Sequence, residues 1–237
     1  MIGTFRTALA AALIAAATVF AALPAVAQQL DKGHAAYEAG DYDTAFELIK
    51  PLAEAGDLHA QFQLGIMYFL GRGTEEDPEQ AFLWTRRAAE QGYMQAQNNL
   101  ATLYFWGEGV KRDREEAVYW YIQAAEQGDV KSMFTLGELF RYGHGVPRSD
   151  AEAARWFSRA ALRGNADAQL YLGVMHEQGQ GVERDLMTAQ VWFLLAAANG
   201  ADGAATNARH NAARLSDKQL TEAKRLAAEW LQVQGQR

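Results

Sequence analysis

The chain has 237 residues, a net charge of −7 and no cysteine. Its acidic balance argues against a nucleic-acid-binding surface, which needs clustered positive charge. The lack of cysteine excludes a disulfide framework and a lipid anchor attached to cysteine. The fold must therefore be held together by packing alone, and a chain of this length can bury enough apolar surface to do so.

Residues 1–27 differ in composition from the rest of the chain. Arg6 is their only charged residue, and an apolar, alanine-rich run follows it as far as Leu23. The small residues at Ala25 and Ala27 form a cleavage site of the small-x-small type, so residues 1–27 are typical of a secretory signal peptide. We expect a periplasmic protein, with full secretion as the alternative. A retained membrane anchor is less favoured because the apolar run is short.

Residues 28–56 are predicted to form a degenerate version of a repeat that fills the following segment. Gly40, Asp41 and Tyr42 resemble the turn of an ordinary tetratricopeptide repeat. Leu48 occupies the position where later copies carry tryptophan. Such a deviation is typical of a terminal unit, because end repeats are commonly atypical.

Residues 57–200 carry a motif that recurs every 36 residues in four copies. A fixed period of this length indicates a solenoid, in which each unit buries its apolar face against its neighbours. The recurring positions include Leu64, Leu100, Leu136 and Leu172, the tryptophans Trp84, Trp120, Trp156 and Trp192, and the glycine pairs Gly71 and Gly73, Gly107 and Gly109, Gly143 and Gly145, and Gly179 and Gly181.

Each copy predicts two helices joined by a glycine loop. In the second copy, Gly107 and Gly109 stop the first helix, because glycine adopts positive φ without a steric penalty. Asp113 is the expected N-cap of the second helix, with Glu116 three residues later in a capping box. Gly128 ends that helix. The recurring tryptophan is expected to fill the space between hairpins.

Residues 201–237 depart from the repeat and are predicted to form capping helices. A first helix is expected from Ala204 to Arg214. Ser216 and Gln219 have the spacing of a capping box, and the next helix is expected from Gln219 to about Leu231. This pair of helices would shield the last apolar face of the stack.

The repeat contains the motifs Leu-Gly-x-x-Tyr, Gly-x-Gly-Val, Ala-x-x-Trp and Ala-Ala-x-x-Gly. Together they resemble the motifs of the Sel1-like repeat (SLR) family, which is related to tetratricopeptide repeats. The resemblance covers about Asp57 to Gly200. It implies an all-α, right-handed α-solenoid of about six antiparallel helix hairpins, four of them full repeats. Members of the family are mostly protein-binding scaffolds, and the fold alone does not fix an activity.

In solenoids of this kind, the first helix of each hairpin lines the concave face. The resemblance therefore implies that side chains on these helices, where the repeat does not dictate them, contact a partner. Exposed clusters of aromatic residues are typical of protein interfaces. Two alternatives remain open: the rings pack against the neighbouring hairpin, or they form a self-association surface. The candidate partner-binding residues are Phe62, Phe69, Asn98, Thr102, Phe105, Trp106, Phe134, Glu138, Arg141 and Tyr142.

The sequence shows no pattern typical of an enzyme, a cofactor site or a metal site. The five histidines lie far apart, and no phosphate-binding Gly-x-x-x-x-Gly-Lys-Ser/Thr motif occurs. The expected partner is a protein or peptide of the cell envelope; since some periplasmic relatives inhibit sensor kinases, a sensor-kinase periplasmic domain is one candidate. No nucleic acid and no membrane anchor after signal cleavage are expected. The alternative is a hydrolase of cell-wall fragments or β-lactams, as described for cysteine-rich relatives, and the lack of cysteine weakens it.

Overall fold

The computed structural model describes residues 27–234, and every regular element in that range is a helix. The predicted signal peptide therefore lies, apart from its last residue, outside the described residues. Helix α1 covers residues 27–38. The others are α2 (Tyr42–Glu54), α3 (Leu58–Leu70), α4 (Pro78–Glu90), α5 (Met94–Trp106), α6 (Arg114–Glu126), α7 (Val130–Tyr142), α8 (Asp150–Ala161), α9 (Ala166–Gln178), α10 (Leu186–Ala198), α11 (Ala204–Ala212) and α12 (Asp217–Gln234).

The helices belong to two compact units. The N-terminal unit contains the described residues up to Ala96 together with Glu108–Lys111, and the C-terminal unit contains Gln97–Gly107 and the chain from Arg112 onward. Within the N-terminal unit, α3 packs against α2 and α4. Within the C-terminal unit, α6, α7, α8, α9 and α10 pack in sequence, and α10 also contacts α11 and α12. The predicted all-α hairpin architecture is confirmed.

The second helices α6 and α12 begin at the caps that the sequence predicts. Asp113 Oδ1 accepts a hydrogen bond from the backbone N–H of Glu116 at 3.0 Å. Ser216 and Gln219 form the expected reciprocal capping box, with 3.0 Å from Ser216 N to Gln219 Oε1. Helix α12 consequently begins at Asp217, two residues before the predicted start, because the residues between cap and box partner are already helical.

The second glycine of each loop touches the start of the preceding second helix. In the N-terminal unit, a Cβ at Gly109 would overlap the backbone carbonyl of Pro78. In the C-terminal unit, a Cβ at Gly145 would overlap the carbonyl of Arg114, and Gly145 has φ of +83°. Only glycine combines this conformation with such close backbone contact. The contact joins each loop to the hairpin before it.

In two hairpins of the C-terminal unit, α7 with α8 and α9 with α10, a glycine on the first helix faces a phenylalanine ring on the second helix. A Cβ at Gly137 would lie 2.5 Å from Cδ1 of Phe157, and Gly173 has the same relation to Phe193. Both phenylalanines are fully buried. Because no side chain stands between the helices at the glycine, the ring packs directly against the backbone of the first helix.

The tryptophan row is less uniformly buried than the repeat suggests. Trp84 and Trp156 are 6% and 9% exposed, whereas Trp120 and Trp192 are only partly buried. The indole N–H of Trp120 donates to Oε1 of Glu116 on its own helix at 3.0 Å. Trp120 and Trp192 therefore pack against the core as expected, but part of each side chain stays exposed.

A first prediction concerns the interior rings. Phe157→Ala should lower the free energy of unfolding by about 3–5 kcal/mol, because it leaves a cavity against Gly137 and Tyr171. Trp106→Ala, which removes a ring that is 64% exposed, should change it by less than about 0.5 kcal/mol. Chemical denaturation followed by circular dichroism measures both, and similar losses would contradict the assignment of core and surface.

A second prediction concerns the loop contact. Gly145→Ala should destabilise the fold more than Gly164→Ala, by an added ~1–3 kcal/mol of overpacking. Gly164 is the matched control because it also has positive φ, +85°, but a Cβ there would meet nothing within 4 Å. Equal shifts in the unfolding midpoint would show that both variants lose stability only because alanine is strained at positive φ, and that the contact with Arg114 adds nothing.

Candidate partner-binding surface

In the C-terminal unit, the first helices α5, α7 and α9 carry the walls of two cavities. The first, here called the α5–α7 cavity, has a volume of about 300 Å³. Its walls come mainly from the ends of α5 and α7, with Tyr121 contributed by α6. The lining residues are Phe105, Trp106, Tyr121, Thr135, Glu138, Leu139, Tyr142 and His144.

The rim of the α5–α7 cavity is aromatic and open to solvent. Trp106 is 64% exposed and Tyr142 is 52% exposed, although both are large rings. Phe105 meets Trp106 edge to face, with ring centroids 5.0 Å apart, and thereby supports one wall. Exposed rings that border a concave site are typical of an interaction surface.

In the lining of the α5–α7 cavity, a threonine stands where the next hairpin has a tyrosine. Tyr171 lies 36 residues after Thr135, and its ring stacks on Phe157 at 4.8 Å with an interplanar angle of 3°. Tyr121 is the counterpart of Phe157, but Thr135 has no ring to place on it. The ring that stacks on Phe157 in one hairpin therefore has no counterpart from Thr135 over Tyr121 in the preceding one.

Glu138 is the only lining residue of this cavity with a formal charge when histidine is neutral. Burial raises the pKa of Glu138, the negative charge of Asp167 raises it further, and Arg141 opposes the rise. Within residues 27–234, no salt bridge or side-chain hydrogen bond engages its carboxylate. The cavity thus contains a partly desolvated carboxylate without a partner.

The second cavity, here called the α7–α9 cavity, has a volume of about 480 Å³. The guanidinium of Arg141 lies 5.0 Å from the centroid of the Tyr171 ring. Burial is the main cause that raises the pKa of Tyr171 to about 12, and hydrogen bonding with the Tyr142 side chain is the next. The Tyr171 phenol therefore stays neutral at physiological pH. The lining residues are Phe134, Arg141, Asp167, Leu170, Tyr171, Val174 and Asn207.

The structure distributes the predicted residues of the C-terminal unit over both cavities. Phe105, Trp106, Glu138 and Tyr142 line the α5–α7 cavity. Phe134 and Arg141 line the α7–α9 cavity instead. Phe134 is partly buried, with its ring 5.6 Å from Phe157 and 5.8 Å from Tyr171. Phe134 therefore belongs partly to the core and does not share a wall with Phe105 and Trp106.

Asn98 and Thr102 line neither of these cavities, because their side chains hydrogen-bond within the C-terminal unit. The Asn98 amide donates to Asp129 Oδ2 at 3.0 Å and to Ser132 Oγ at 2.8 Å. Thr102 Oγ1 donates to the Asn98 carbonyl at 3.1 Å and lies 3.0 Å from the Tyr121 hydroxyl. These two residues fix α5 against α6 and α7 and shape the site without facing it.

In the N-terminal unit, Phe62 and Phe69 differ in exposure. The Phe62 ring is half-buried and meets Tyr93 edge to face at 5.1 Å. Phe69 is 41% exposed and adjoins Leu70, which is also exposed. Phe62 therefore has a packing role within its unit, while Phe69 remains available at the surface.

Four lining residues of the α5–α7 cavity were not predicted: Tyr121, Thr135, Leu139 and His144. A signal for Thr135 was present, since a comparison of equivalent positions shows a small residue where the next copy has Tyr171. No group of side chains in residues 27–234 has the composition and proximity of a metal site. None of the described helices is both long and apolar enough to cross a membrane.

The family model of the Sel1 repeat matches residues 58–93, 95–129, 130–165 and 166–200. The chain is similar to the crystal structure of c5321, a protective antigen of uropathogenic Escherichia coli with an SLR fold, at 33% identity and a TM-score of 0.78. That alignment covers 88% of this chain and 47% of the antigen, so the chain spans about half the length of this relative.

A second similar structure is a Sel1 repeat protein from Oxalobacter formigenes, at 35% identity and a TM-score of 0.70, covering 74% of this chain and 72% of that one. No curated protein matches the chain. These likenesses confirm the predicted all-α solenoid fold. Proteins built from this repeat are generally protein–protein interaction scaffolds. With four matched repeats and these two structural neighbours, the chain belongs to the Sel1-repeat family.

Proposed function

We propose that this protein is a periplasmic or secreted adaptor that binds a peptide segment of a partner protein over the two cavities of its C-terminal unit. The observation that carries this proposal is the α5–α7 cavity, whose rim consists of the exposed rings of Trp106 and Tyr142. Large aromatic side chains supply much of the binding energy in protein interfaces. The sequence of residues 1–27 supports the proposed location outside the cytoplasm.

The two cavities are suited to successive side chains of one segment. Both use α7: Glu138 and Tyr142 line one cavity, and Phe134 and Arg141 line the other. A segment lying across α7 would place one side chain in each cavity. Interfaces of this kind gain specificity from a few placed polar groups within an apolar lining. The adaptor role requires no catalytic residue, and we propose none.

The partner is a protein of the cell envelope. The periplasmic domain of a sensor kinase is one candidate, because some periplasmic members of the family act as inhibitory partners of such kinases. Assembly of envelope components is a second role of the same class. Both require that the cavities bind a segment of another protein.

A third prediction tests the surface directly. Trp106→Ala combined with Tyr142→Ala should reduce capture of the envelope partner at least tenfold, because two exposed aromatic contacts are lost. Thermal melting should stay within about 2 °C of the unsubstituted protein, since neither ring is buried. Quantitative affinity capture from envelope extract, followed by mass spectrometry, provides the measurement.

The matched control combines Leu83→Ala with Tyr119→Ala. These residues are 38% and 51% exposed, and both lie on second helices at equivalent positions of the repeat. The control should retain capture. Equal loss in the two double variants, or a loss that follows a drop in melting temperature, would contradict the assignment of the surface.

A fourth prediction concerns export. The protein recovered from a periplasmic extract should begin at Gln28, because the small residues before it form the cleavage site. Mass spectrometry of the intact protein locates the new N-terminus. Ala27→Phe should block cleavage and retain the longer chain. Recovery of full-length protein in the cytoplasmic fraction would refute the proposed location.

A further inference from the structure

We propose that the α5–α7 cavity binds the guanidinium group of an arginine side chain, between the Trp106 and Tyr142 rings and the Glu138 carboxylate. The inference deepens the proposed adaptor role, on which it rests, by naming the residue that the partner segment places in this cavity. It depends on three features of the described residues: the carboxylate of Glu138 without a salt bridge or hydrogen bond, the uncovered indole of Trp106 and the open volume that both residues line.

The first feature is the state of Glu138. Its carboxylate is half-buried in an aromatic lining and forms no salt bridge or side-chain hydrogen bond within residues 27–234, although the charge of Arg141 acts on it from a distance. An apolar side chain entering the cavity would desolvate this charge further without compensation, which is unfavourable. A cationic side chain would replace the lost water with a charge-assisted hydrogen bond. The net charge of −7 also favours the approach of a basic segment.

The second feature is the availability of the Trp106 ring. Arginine side chains of the chain already stack on several rings, such as Arg87 on Trp84 at 4.3 Å and Arg114 on Phe105 at 5.0 Å. Trp106 is 64% exposed, and none of the cations in residues 27–234 lies over its ring. Tryptophan is the strongest cation–π acceptor among the side chains. The ring is thus free to accept a cation from a partner.

The third feature is shape. Thr135 and Glu138 border a common volume of about 300 Å³, which opens between the exposed rings of Trp106 and Tyr142. This space admits a long side chain that reaches Glu138 from the open rim. A planar guanidinium stacks on a ring and binds a carboxylate with two parallel hydrogen bonds, which an ammonium group does not. Arginine therefore fits this lining better than lysine.

Two arginines of the chain lower the affinity of the cavity for a further cation, although neither forms a salt bridge with Glu138. Arg141 lies 5.8 Å from the Tyr142 ring and lines the α7–α9 cavity, and Arg114 covers Phe105. Asp167 adds a negative charge that acts on Glu138 and offsets part of their effect. A single arginine side chain is expected to bind weakly by itself and to add selectivity within a longer segment.

The fifth prediction uses the full chain and blocked tripeptides of sequence Ala-Arg-Ala, Ala-Lys-Ala and Ala-citrulline-Ala. Citrulline has the shape of arginine without its charge. The chain has six tryptophans, so its ¹H–¹⁵N spectrum contains six indole signals, and Trp106→Phe identifies the relevant one. The arginine peptide should shift the Trp106 signal in a saturable way, with a dissociation constant at least fivefold below that of the citrulline peptide and lower than that of the lysine peptide.

Three variants test the mechanism. Glu138→Gln should remove the preference for arginine over citrulline, while Glu183→Gln, which neutralises an exposed loop carboxylate, should retain it. Thr135→Tyr should weaken the shift, because the larger side chain takes up part of the volume that Thr135 lines. The five other indole signals report whether each variant is folded, and if Thr135→Tyr does not fold, the result of Glu138→Gln decides.

Equal binding of arginine and citrulline, equal binding of arginine and lysine, or no shift of the Trp106 signal with any peptide would overturn the inference. If the protein nevertheless captures its envelope partner through Trp106 and Tyr142, the proposed function stands without the arginine site. If the arginine peptide binds as expected but the double alanine variant still captures the partner, the arginine site stands and the proposed function fails.

Discussion

The structure depends on the contact between the second loop glycine and the first residue of the preceding second helix. In the C-terminal unit, Gly145 contacts Arg114 and Gly181 contacts Asp150 through backbone atoms, with no side chain to adjust the fit. Backbone contact of this kind tolerates little sliding, because there is no rotamer to change. The loop after α7 is therefore fixed against the start of α6, and the end of α7 keeps its position opposite α5. The width of the α5–α7 cavity follows from this constraint.

Within that fixed frame, single side chains on the first helices decide what lines each cavity. Thr135 and Tyr171 occupy equivalent positions and each lines a cavity, but only Tyr171 adds a ring, which stacks on Phe157. The hydrogen bonds of Asn98 and Thr102 secure the helices beside the α5–α7 cavity. A repeat protein can thus vary the lining of a cavity without any change to the positions that hold the stack together.

The sequence predicts the features that depend on neighbouring residues along the chain. The period, the glycine loops and the caps at Asp113 and Ser216 are local, and the structure confirms them. It does not predict how deeply Trp120 is buried or which cavity Phe134 lines, because both depend on rings contributed by the adjoining hairpin. Asn98 was assigned to the surface from its register, but its amide is taken by Asp129 and Ser132, which lie one repeat further along the chain. The repeat register predicts the face of the helix on which a residue lies. It does not predict which side chains of other helices that residue contacts.

The charges of the two cavities suggest why a scaffold would retain an unpaired carboxylate at some cost in stability. Glu138 alone charges the α5–α7 cavity, while Arg141 and Asp167 give the α7–α9 cavity one charge of each sign. A segment bound across α7, as proposed, would therefore meet a different preference at each point. Specificity is a difference between affinities, and a desolvated carboxylate without compensation penalises an apolar occupant. Exclusion of apolar segments is a useful property for a protein with exposed rings at Trp106 and Tyr142, because it keeps those rings from binding any hydrophobic surface they meet.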